Sequence, residues 1–200
     1  KPRKLIVLHT KTWESEVEAP ARAAFEALLQ RLREREVELV TRRDDPHFAA
    51  FEDEVFGTFI DRSVDITSYE MKWPYEQYAA QHGDRLEQRV HDRLARAREM
   101  SADYYAELLA EKTRMKDRAR DVMGVADAIL TLAASGPAPV GHGHTGSRAY
   151  LVYATFLGLP AFSLPVMEAD GMPLGAQLIG RAGRDAELCA LAHWVLSLES

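Results

Sequence analysis

The sequence predicts an α/β fold, a mixed β-sheet flanked by helices. Three observations carry that reading. The first forty residues run as a short apolar strand, an amphipathic helix and a second strand. Residues 127–180 hold buried-strand patterns divided by turns and one helix. Charge is segregated between residues 61–120, rich in it, and residues 121–180, nearly free of it. Strands linked through a helix pair in parallel, and strands linked by a tight turn pair antiparallel, so a chain containing both builds a mixed sheet.

Lys4 to His9 forms the first strand. Pro20 stands at a helix start, where its missing N–H costs nothing. Ala21, Ala24, Phe25, Leu28, Leu29 and Leu32 then recur at the spacing of one helical face, and Val37 to Val40 is the second strand. Phe48, Phe51, Val55, Phe56 and Phe59 give a short helix over 46–60. Trp73-Pro74-Tyr75 predicts a turn, because proline blocks a helix interior. From Gly83 to Met123 the spacing is mostly helical, with opposite charges interleaved on a wet face.

Asp127 to Leu132 is a buried strand, followed by a Gly/Pro/Ala loop from Ser135 to Gly141. Gly146 to Leu157 suits a helix ended by Gly158, with Pro160 just beyond. Ala161 to Val166 is a strand with a proline inside it, which places it at an edge or makes it irregular. Asp170-Gly171 signals a turn into Leu174 to Ile179. Asp185 is placed to cap a last helix through Leu198.

Two hundred residues fit a single α/β domain over 1–200, with a charged helical region at about 61–123 and a strand-rich core at about 127–180. Residues 61–120 carry 24 charged side chains and residues 121–180 only five, which separates solvated helices from a buried centre. With 25 Lys+Arg against 31 Asp+Glu the net charge is −6, which argues against nucleic acid as a partner. Ala149 to Met167 is uncharged, but Gly158-Leu159-Pro160 and Pro165 break it, so no membrane span is expected. The opening Lys1-Pro2-Arg3-Lys4 leads into an apolar run too short for a secretory leader. A single cysteine, Cys189, fits a cytoplasmic setting; it is expected in the core beside Leu188, Leu191 and Ala192.

Motifs that carry chemistry are scarce. No glycine-rich phosphate loop and no Gly-x-Ser-x-Gly elbow is present. Ser68 and Lys72 have helical spacing, but they precede Trp73-Pro74 and are not expected to act as a pair. His142 and His144 have metal-ligand spacing without a third ligand placed beside them, so no metal is expected. Asp127 heads a buried strand, either as a structural acceptor or as a site residue.

Asp127-Ala-Ile-Leu, Ala138-Pro139, Gly158-Leu-Pro-Ala-Phe-Ser-Leu-Pro165, Gly171-Met-Pro-Leu-Gly-Ala-Gln-Leu-Ile-Gly180 and Asp185-Ala-Glu-Leu follow one another in fixed order. In order and spacing they resemble the C-terminal part of amidase-signature enzymes. The resemblance implies a mixed sheet wrapped by helices and hydrolysis of carboxylic amides without a cofactor. It also implies a nucleophilic serine, a second serine and a lysine in an earlier Gly/Ser-rich segment. No Gly-Gly-Ser-Ser-Gly run occurs here, so no catalytic residue is carried over.

The resemblance makes Asp127, Thr145, Arg148, Thr155 and Gln177 the substrate-pocket candidates. Gly158, Pro160, Gly171, Pro173 and Gly175 become shapers of the backbone. Leu132 stands where that family usually has proline and Thr155 where it usually has asparagine. The chain is thus expected to supply sheet and one pocket wall, to be inactive alone, and to meet an amide substrate only with the missing N-terminal part. Half a sheet exposes an unpaired edge, so self-association or a complementing chain is expected. The alternative is a non-catalytic small-molecule-binding or subunit-interaction domain derived from that fold.

Overall fold

The computed structural model describes residues 1–10, 12–143 and 146–199, the side chains of Phe56, Thr58, Phe59, Ile60 and Glu199 excepted. The chain divides into two compact units, one of Lys1–Gly57 with Lys116–Ser200 and one of Thr58–Met115.

The first unit is built on five strands: β1 (Lys4–Val7), β2 (Glu38–Val40), β3 (Ala128–Leu132), β4 (Ala161–Ala169) and β5 (Met172–Ile179). Their order across the sheet is β2-β1-β3-β5-β4. β1 pairs in parallel with β2 and β3, while β5 pairs antiparallel with β3 and β4. The sheet is mixed, as the pattern of connections requires. Every residue of β3 is buried, as befits a central strand covered on both faces.

The helices are α1 (Trp13–Glu16), α2 (Ala19–Glu34), α3 (Pro46–His82), α4 (Gln88–Glu99), α5 (Ala102–Met123), α6 (Ala149–Leu157) and α7 (Asp185–Leu196). α2 starts with Pro20 in its first turn and buries Ala21, Phe25, Leu28, Leu29 and Leu32. α6 ends on Gly158 at φ +65°, the left-handed conformation that glycine adopts without strain. Asp170 and Gly171, at φ +52° and +75°, make the tight turn between β4 and β5. The β4–β5 register slips between Leu164 and Met167, around Pro165, which is how an edge strand accommodates a proline.

In the second unit the helical stretches pack around Ile66, Leu94, Ala97, Leu108 and Met115. The Asp65 carboxylate accepts hydrogen bonds from the Arg96 guanidinium and, at 2.9 Å, from the Tyr104 hydroxyl. The Tyr69 and Tyr105 rings stack at 4.2 Å.

Several expectations are corrected. The short helix expected over 46–60 is only the beginning of α3, which runs for 37 residues and passes through Pro74. The turn expected at Trp73-Pro74-Tyr75 is therefore absent; the helix survives the loss of one backbone hydrogen bond. Phe56 and Phe59, from the stripe that predicted it, have side chains outside the described set. The stretch from Gly83 to Met123 is mostly helical as expected, with a 3₁₀ turn at Gly83–Arg85 and a break at Met100, whose ψ of 129° is extended. Ser101 Oγ then accepts the Tyr104 N–H at 3.1 Å to start α5.

Asp185 does not cap α7. Arg184 holds the cap position, and Asp185 is the first helical residue. Cys189 is exposed rather than buried. The buried stripe of α7 is Leu188, Leu191, Ala192 and Val195, and Cys189 stands one residue, about 100°, off it.

Candidate functional site

β3 delivers the chain to a loop whose backbone is held from two sides, by β5 and by Glu18. The Ala133 N–H donates to Gly175 C=O at 2.9 Å, and the Glu18 N–H donates to Ser135 C=O at 3.0 Å. Gly136 lies so close to Glu18 that a Cβ there would sit 2.5 Å from Glu18 Oε1. Gly175 is pressed likewise: a Cβ would collide with Ser163 Oγ and come within 2.9 Å of Ala133 Cβ. Glycine is needed at 175 because two strands and the loop meet there.

These contacts frame a cleft of about 780 Å³, a volume suited to a small organic molecule. Its walls come from Ala133–Pro139, from Gly146, Ser147 and Leu151 around the start of α6, from Ser163 on β4, and from Pro173–Gly175 on β5. Glu16 and Glu18 reach it from the segment before α2. Among the described residues they are the only charged side chains that line it.

The five pocket candidates scatter with respect to this cleft. Gln177 is buried on β5 and donates from Nε2 to the Tyr150 carbonyl at 2.9 Å, tying the start of α6 to the sheet. Arg148 is exposed at the cap position of α6, directly after the cleft residues Gly146 and Ser147. Thr155 is exposed on α6, its hydroxyl donating to Leu151 C=O. Asp127 lies at the other end of β3, about 17 Å of extended strand away from the cleft loop. There its Oδ2 accepts the backbone N–H groups of Arg3 at 2.6 Å and Lys4 at 3.0 Å. Thr145 lies outside the described residues, as does His144.

The remaining candidates sit elsewhere. His142 is exposed, and among the described residues no three His, Cys, Asp or Glu side chains gather into a metal site. Ser68 and Lys72 share α3. Ser68 is fully buried, and Lys72 Nζ stands 4.9 Å over the Tyr69 ring.

A second polar cluster, missed in the sequence, surrounds the ends of β1 and β2. Glu52 on α3 is 2% exposed, and its Oε2 pairs with Arg42 Nη1 at 3.0 Å. Burial raises its carboxyl to about 7, against the opposing pull of Arg42 and of the His9 N–H. The signal was an acid on the apolar stripe of Phe48, Phe51 and Val55. His9 packs on Trp13 at 4.1 Å between ring centroids, and burial lowers its imidazole below the usual range.

This fold is that of a class of amide-hydrolysing proteins of known structure. An amidase matches with a TM-score of 0.77 at 22% identity, over 97% of this chain and 45% of its own. The 6-aminohexanoate cyclic dimer hydrolase complexed with substrate matches at 0.67 and 17% identity, over 100% of this chain and 45% of its own. An allophanate hydrolase of Kluyveromyces lactis matches at 0.75 and 14% identity, over 98% and 32%. At such identities the likeness speaks for the fold. The amidase family model matches residues 4–189, and the chain belongs to that family. It spans less than half the length of these solved relatives. No curated protein matches it.

Proposed function

We propose that these 200 residues are the C-terminal portion of a hydrolase that cleaves carboxylic amide C–N bonds. The cleft beyond β3 and β5 is its contribution to the substrate pocket. The observation that carries the reading is the build of that cleft. Its backbone is locked by Gly175, Ser135 and Glu18, while among the described residues its lining holds no lysine and no histidine beside Ser135, Ser147 or Ser163. A serine attacks an amide only when a neighbouring base takes its proton. The base and nucleophile therefore come from a segment outside these residues, and this part shapes and orients. Family membership supports the same reading.

The chain alone is expected to show no amide turnover above buffer across aryl and alkyl amides. Turnover that disappears on treatment with a serine-reactive phosphonate would overturn the proposal, because it would place a competent nucleophile within the chain.

A further inference from the structure

A second cleft, of about 400 Å³, opens outside the carboxyl ends of β1 and β2. Its lining is His9, Thr10 and Trp13 from the loop after β1, and Thr41, Arg42 and Arg43 from the loop after β2, with Glu14 at the side. β1 is also the strand at which the chain order reverses, since β2 lies on one side of it and β3 on the other. Crevices at the carboxyl ends of parallel strands, near such a reversal, are where open α/β sheets bind ligands.

The charge balance of this cleft is uneven. Each acid around it already has a partner. Glu14 pairs with Arg22 at 2.7 Å, and Glu26, which also acts on His9, pairs with Arg33 at 2.6 Å. Glu52 and Asp53 hold Arg42 at 3.0 and 2.8 Å. Asp44 accepts the Thr41 N–H at 2.9 Å and the Thr41 hydroxyl at 2.8 Å. Arg43 has no ion-pair or hydrogen-bond partner for its guanidinium among the described residues, so its fork of donors is left for something else. Trp13 supplies the large apolar wall, and His9 Nε2 is without a hydrogen-bond partner among the described residues.

We propose that this cleft binds a small organic carboxylate, its anion on the Arg43 guanidinium and its apolar body against Trp13. A planar fork of N–H donors matches the two oxygens of a carboxylate, and an indole face favours an apolar or aromatic body. The inference concerns a site separate from the hydrolase cleft and does not rest on the proposed function.

Titration of the chain with benzoate, followed by calorimetry and by Trp13 fluorescence in a Trp73→Phe, Trp194→Phe background, tests it. Benzoate is expected to saturate one site with an affinity on the order of millimolar, as befits so small a ligand. Benzyl alcohol, which has the ring without the charge, is expected not to bind. Arg43→Ala is expected to weaken benzoate by about tenfold or more, and Arg43→Lys by less. Circular dichroism checks that the variants remain folded; Arg43 lies exposed in a loop, so folding should be retained. Undiminished binding by Arg43→Ala would overturn the proposal, as would no binding of benzoate to the unsubstituted chain. Arg43-dependent binding of inorganic phosphate with no response to benzoate would overturn the carboxylate assignment.

Discussion

Glu52 is where a single residue should govern how stability responds to pH. Its carboxyl ionises near 4.5 in an unfolded chain and at about 7 in the fold, because burial disfavours the charge more than Arg42 favours it. The native state therefore holds the proton more tightly. The stability this contributes is fully present below the unfolded value and is lost as pH rises through about 7. At 1.36 kcal/mol per unit, the full loss is on the order of 3 kcal/mol, most of it between pH 5 and pH 8. Glu52→Gln removes the titration while Arg42 keeps Asp53. Denaturant unfolding of both proteins should show the variant gaining by about that amount between pH 5 and pH 8. Curves that run parallel over this window would contradict the assignment. Glu52 was legible as an acid on an apolar helical stripe. The exposure of Cys189 was legible too, since the i, i+3, i+4, i+7 set through Leu188 omits it. What no spacing rule reveals is the pairing of Glu52 with Arg42, which folding alone brings about.

At the scale of elements, the strands, the β4–β5 turn and α2 were readable, and the length of α3 was not. β3 and β5 announce themselves by apolar runs bounded by turn residues, and Gly158 and Asp170-Gly171 adopt the positive φ values their positions call for. α3 was misread because proline is a strong local signal and tertiary packing is not visible in a window. Burial of Ile66 and Ser68 on one side of Pro74, together with the Asp65–Arg96–Tyr104 and Tyr105–Glu70 ties, holds the helix in place. The proline still leaves the Glu70 carbonyl without its helical donor, at a cost of about 3 kcal/mol, offset by about 1 kcal/mol of reduced freedom in the unfolded chain. Pro74→Ala should accordingly stabilise the second unit by about 1–2 kcal/mol, read as slower hydrogen exchange in α3 and a higher unfolding midpoint. A destabilised variant would mean that the proline ring itself supplies needed packing. The same logic explains the division of the chain. The charge-rich stretch of residues 61–120 nearly coincides with the helical unit Thr58–Met115, because solvated helices cannot share the buried interior of a sheet.

For the molecule as a whole, the edge of the sheet decides how the chain behaves in solution. β4 has β5 on one side and, among the described residues, no strand on the other. Pro160 C=O accepts the Gly180 N–H, so the hydrogen-bonded pairs alternate from there, and the N–H and C=O of Ala161 and Ser163 point away from the sheet. Ala161, Phe162 and Ser163 are all exposed, which leaves both faces of the sheet uncovered at that end. The far half of β4 is guarded. Pro165 lacks a donor, the register slips beside it, and Arg31 Nη2 occupies the Val166 carbonyl at 3.0 Å. An unguarded run with an exposed phenylalanine invites pairing with another strand, and in a solution of this chain alone the available strand is that of a second copy. Light scattering across a concentration series should therefore show a mass rising above 22.5 kDa. Phe162→Lys, which places a charge on the open end without touching the guarded half, should hold the chain monomeric with its fold intact. A monomer at every concentration in the unsubstituted chain would mean that three open residues are too few to nucleate pairing, and that the bulge and Pro165 suffice to close the edge.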